Sequence, residues 1–89
     1  MTYEEIYERL STVFRDVFDD ERITVTADTT AADIDDWDSL NHITLISAVE
    51  DEFRVRFTMG EVSTMKNVGE MAEIIASRAK PEKKKRKFF

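Results

Sequence analysis

Between Tyr3 and Phe18 the apolar residues Tyr3, Ile6, Tyr7, Leu10, Phe14, Val17 and Phe18 recur at intervals of three and four, the spacing of one helix face. Thr2 with Glu5 three positions on is a capping-box pattern, in which each side chain satisfies an otherwise unpaired backbone N–H at a helix start. A second helix is expected from about Ser39 to Phe53, with Leu40, Ile43, Ile46, Val49 and Phe53 on one face and Leu45 and Ala48 widening the stripe. Asp38 precedes it as N-cap. After Val55 and Phe57, Thr58 and Glu61 repeat the capping-box pattern ahead of a short helix containing Val62 and Met65. Asn67 and Glu70 make a third such pattern, opening a helix that buries Val68, Met71, Ile74 and Ile75, fades near Arg78 and is ended by Pro81. Helices this short are marginal alone, so their apolar stripes must be buried against one another.

From Asp19 to Asp38 the periodicity is lost, and the run Ile23 to Thr30 favours an extended loop. Its length is unusual, but Ile23, Val25, Ile34 and Trp37 supply apolar anchors that pin it across a bundle. The expected fold is therefore all-α: a small four-helix bundle of three main helices and one short one, with a long first loop and no internal repeat. The chain has two glycines and one proline, which points away from a turn-rich all-β fold. Its 89 residues leave room for one modest core and little to shape a substrate-enclosing cleft, which disfavours an enzyme.

With no cysteine, disulfides, thiolate zinc sites and cysteine nucleophiles are excluded by inventory. The start Met1-Thr2-Tyr3-Glu4-Glu5 has no signal-peptide character and no window approaches a membrane span, so a cytoplasmic protein without stable membrane insertion is expected. The net charge of −6 conceals two opposed parts: residues 1–79 hold 18 acids against 7 bases, and residues 80–89 hold six bases against Glu82. The acidic body repels nucleic acid and attracts basic protein surfaces. Residues 80–89 read as a disordered, solvated tail outside a domain spanning 1–79.

The most informative stretch is Asp36-Trp37-Asp38-Ser39-Leu40-Asn41-His42-Ile43, followed by Leu45-Ile46-Ser47-Ala48-Val49-Glu50-Asp51-Glu52-Phe53. It resembles the attachment motif of acyl carrier proteins, Asp-Ser-Leu at the start of the second helix, and the resemblance continues through Phe57-Thr58 and Val68-Gly69-Glu70-Met71, covering roughly residues 3–79. The tripeptide alone recurs by chance in many proteins. A serine at a helix start, an acidic helix, a long preceding loop and a carrier-sized chain together make the context specific.

What the resemblance implies is a carrier with no catalysis of its own, a monomer whose Ser39 hydroxyl receives a 4′-phosphopantetheine arm from coenzyme A through a phosphopantetheinyl transferase. The arm's thiol then holds acyl groups as thioesters for fatty-acid, polyketide or related biosynthesis. A first-turn serine suits a phosphodiester, because free backbone N–H groups and the helix dipole stabilise an anion there. Asp38 would help dock a basic transferase surface while also capping the helix; Leu40 would be the apolar contact at the same point while also holding a core position. Glu50, Asp51 and Glu52 would complement Lys/Arg surfaces of transferases, acyltransferases, synthases or ligases. Asn41 and Thr44 stand where many family members have acids, which makes the surface beside the arm less acidic.

Other readings fit less well or stay open. Asp38, Ser39 and His42 are the residue types of a hydrolytic triad, but no Gly-rich nucleophile elbow accompanies them, and His42 reads as a partly exposed helix residue. Counted from Asp33, a calcium-binding EF-hand loop needs glycine at position 38 and glutamate at 44, where Asp38 and Thr44 stand, so no metal site is expected. An aminoacyl or peptidyl carrier, or an acidic interaction module without a prosthetic group, remain the alternatives.

Overall fold

The computed structural model describes residues 2–79, and the basic segment 80–89 lies outside them. Four α-helices follow one another: α1 (Tyr3–Phe18), α2 (Ser39–Phe53), α3 (Met59–Thr64) and α4 (Val68–Arg78), with a one-turn 3₁₀ helix at Ala31–Asp33 inside the first connection. Among the described residues no strand forms. Starts are set locally, as expected. Glu5 N–H donates to Thr2 Oγ1 at 3.1 Å while Thr2 N–H donates to Glu5 Oε1 at 2.9 Å, and Thr58 and Glu61 form the same reciprocal pair. The third box is only half made. Asn67 Oδ1 accepts from Glu70 N–H, but the Glu70 carboxylate accepts from Lys66 N–H, one residue further back than the cap.

One core joins the elements: Ile6, Leu10, Val13, Phe14 and Phe18 of α1 meet Leu45, Ile46, Val49 and Phe53 of α2 and Val68, Met71, Ala72 and Ile75 of α4. Helix α1 packs on both α2 and α4. The long connection is ordered by that core and by polar stitches. Val25 is buried, Ile23, Ile34 and Trp37 pack against the core edge, and Val25 N–H donates to the buried Ser11 hydroxyl at 3.0 Å. Further stitches run to α4, whose first N–H groups lack helical partners. Val68 N–H donates to Thr29 O at 2.9 Å and Gly69 N–H to Ala27 O at 3.0 Å. Gly69 is required there, because a Cβ would lie 2.9 Å from the Ala27 carbonyl oxygen. The 3₁₀ turn follows the run Ile23 to Thr30 read as extended; the Asp33 carboxylate holds it by accepting from Thr30 N–H at 3.0 Å.

Two arginines tie the bundle's edges. Arg9 of α1 pairs with Glu52 at 2.7 Å, and its guanidinium lies 4.8 Å above the Phe53 ring. Arg78 of α4 forms a two-pronged pair with Glu61 of α3, both contacts at 2.6 Å, and also donates to Arg56 O.

Candidate functional site at the start of the second helix

The chain enters α2 through a tight series of backbone turns, with Trp37 N–H donating to Ile34 O and Asp38 N–H to Asp36 O. Asp38 is in extended conformation and its Oδ1 accepts from Asn41 N–H at 2.9 Å, which makes it the N-cap. Asn41 closes the corner from the other side, donating from its side chain to Asp36 O at 2.7 Å. Ser39 is thereby the first helical residue, and it is exposed. Among the described residues nothing accepts from the N–H groups of Ser39 or Leu40, so the helix start presents a hydroxyl beside two unpaired donors.

Leu40 is not a core residue. It is 80% exposed and Ile43 is 59% exposed, whereas Leu45, Ile46, Val49 and Phe53 are buried. Three residues turn a helix about 60° short of a full circle, so a ladder climbing by threes winds around the axis. By Val49 the series begun at Leu40 has drifted to the opposite side, and the buried arc is drawn instead through 45, 46, 49 and 53. The first turn of α2 thus carries an uncovered apolar step beside Ser39, with Asp35, Asp36 and Asp38 exposed on the approach.

The acids expected to meet partners divide. Glu50 is half-buried and accepts from Phe57 N–H at 2.8 Å, and Glu52 is held by Arg9. Asp51 alone of the three is fully outward, without an intramolecular partner among the described residues. The triad residue types do not assemble. The Asp38 carboxylate serves the helix cap, and both ring nitrogens of His42 are engaged away from Ser39: Nδ1 accepts from Trp37 Nε1–H at 3.0 Å and Nε2 lies 3.3 Å from Val62 O. His42 is half-buried, in keeping with the partly exposed helix residue expected, and its ring stacks on Trp37 at 5.9 Å. Nothing in the local pattern of α2 pointed to that pairing; a lone Trp five residues before a lone His, on either side of a helix cap, was the available signal. Among the described residues no three acids or histidines converge as a metal site, and no helix is long and apolar enough to cross a membrane.

This arrangement matches known proteins. A family model described as a phosphopantetheine attachment site matches residues 8–75. The solution structure of the holo acyl carrier protein from Geobacter metallireducens is 36% identical, with 92% of this chain and 94% of that one covered and a TM-score of 0.78. No curated protein sequence matches the chain. The chain belongs to the phosphopantetheine attachment-site family, with the acyl-carrier fold expected from its sequence and 4′-phosphopantetheine as its prosthetic group. An interaction module lacking that group is thereby set aside.

Proposed function

We propose that Ser39 carries the phosphopantetheine arm and that the protein is an acyl carrier, holding acyl intermediates as thioesters for fatty-acid, polyketide or related specialised biosynthesis. The arm supplies the thiol, which this cysteine-free chain lacks. The observation that carries the proposal is an exposed serine as first residue of a capped helix, beside two unpaired N–H groups, in a chain of this family. Those donors and the helix dipole suit the phosphodiester. The resemblance to an acyl carrier at 36% identity favours acyl cargo over aminoacyl or peptidyl cargo.

Asp38 holds the helix start and Leu40 offers an apolar contact to whichever protein approaches the serine. Asp35, Asp36, Asp38 and Asp51 are exposed acids on and just before α2, and they suit a phosphopantetheinyl transferase and synthases, acyltransferases or ligases with basic surfaces, steering encounter more than setting affinity. Glu50 and Glu52 act chiefly within the fold. A cytoplasmic monomer with residues 1–79 as its carrier domain completes the reading. The test is covalent. Incubated with coenzyme A and a broad-specificity phosphopantetheinyl transferase, the chain gains the mass of phosphopantetheine and Ser39→Ala does not; an unchanged wild-type mass overturns the proposal.

A further inference from the structure

The chain holds one tryptophan and one histidine, and they are in contact two and three residues to either side of Ser39. Trp37 is wedged at the end of the connection, its ring 5.2 Å from Phe14 in an edge-on contact and 6.5 Å from Phe18, with His42 stacked on it at 5.9 Å. The indole N–H is a donor only, so the His42 Nδ1 that receives it at 3.0 Å carries a lone pair. The neutral ring therefore bears its proton on Nε2, which donates to Val62 O at 3.3 Å. That carbonyl is free to accept, because its helical partner, Lys66 N–H, donates to Glu70 instead.

We infer that His42 is a positioning residue for modification of Ser39: in its neutral form it clamps Trp37 of the connection to Val62 of α3 and so fixes the backbone corner that presents the acceptor hydroxyl. This rests on the proposed role of Ser39. Between Trp37 and Ser39 stands only the capping residue, so a shift of the indole moves the cap and the serine with it. Without His42 the half-buried indole N–H loses its acceptor and α3 loses its polar link to α2.

The experiment compares the rate of phosphopantetheine transfer from coenzyme A to wild type, His42→Leu, Trp37→Phe and His42→Gln, with the modified residue located by mass spectrometry. A glutamine amide can accept from the indole and donate to the carbonyl, as neutral imidazole does. His42→Leu and Trp37→Phe are expected to keep their helical circular dichroism and to lose about fivefold in kcat/KM, the scale of one lost hydrogen bond. His42→Gln is expected to stay within about twofold of wild type, the bond being restored. Wild-type kcat/KM in His42→Leu, or a His42→Gln rate as low as that of His42→Leu, overturns the positioning role with the carrier reading intact. Should His42→Leu not fold, Trp37→Phe decides, and a wild-type kcat/KM there overturns the role. A wild-type chain that gains no mass at Ser39 overturns both.

Discussion

At its C-terminal end α2 is enclosed: Leu45, Ile46, Val49 and Phe53 are buried, Glu50 holds the following loop and Arg9 covers the Phe53 ring. At its first turn Ser39, Leu40 and Ile43 face outward, and the backbone is held by the Asp38 cap, by Asn41 and by the Trp37–His42 contact. Burial stabilises the first region; directed hydrogen bonds order the second without covering it. The acceptor role proposed for Ser39 needs the second arrangement, and the first makes it sustainable.

The sharpest way to break this contrast is to truncate one apolar residue at each end. Phe53→Ala is expected to cost about 3–5 kcal/mol in urea unfolding, the usual loss for a buried aromatic, whereas Leu40→Ala should change stability by about 0.5 kcal/mol or less. Equal losses would mean that the first turn is covered in solution. The two glycines offer a second comparison. Gly69→Ala pushes a Cβ against the Ala27 carbonyl and should destabilise by about 1–3 kcal/mol. In α3, a Cβ added at Gly60 would meet no atom within 4 Å, so Gly60→Ala should stabilise by up to about 1 kcal/mol.

A smaller effect isolates the cap. Asp38→Ala should lower stability by about 1 kcal/mol and Asp38→Asn by much less, since asparagine caps as well, and thermal unfolding separates the two. The smallest effect is expected at α3. Hydrogen bonds from Arg78 and the Thr58 N–H lower the Glu61 carboxyl from 4.5 to about 2. A depressed folded-state value means that the pair contributes fully above the unfolded value and is lost as pH falls from about 4.5 through about 2. Exposure keeps the effect small. Acid unfolding of Glu61→Gln should accordingly lack that increment of pH dependence, and curves parallel to wild type across this range would show that the pair does not form in solution.

Legibility in the sequence followed the range of the interactions. Helix starts were readable because Thr2 with Glu5, Asp38 with Asn41 and Thr58 with Glu61 act within one turn of chain. Helix ends were readable from where the apolar pattern stops, at Phe18, Phe53 and Arg78, although α1 and α2 close on Asp19 and Arg54 in left-handed conformation, with φ of 53° and 57°, where glycine is the usual signal. Glu70 satisfied Lys66 rather than its own cap, a choice made by how the chain arrives at α4.

By itself the sequence determined that four helices form, where each of them begins, that their stripes close on one core, and which serine stands at a helix start beside an acidic approach. These follow from local hydrogen bonding and from the helical repeat. Only the tertiary structure decided which side of α2 is buried, that the long connection is stitched to α4 through Ala27 and Thr29, and that His42 joins Trp37 to Val62. Those outcomes depend on partners distant along the chain, whose positions are fixed when the core closes rather than by any neighbouring residue.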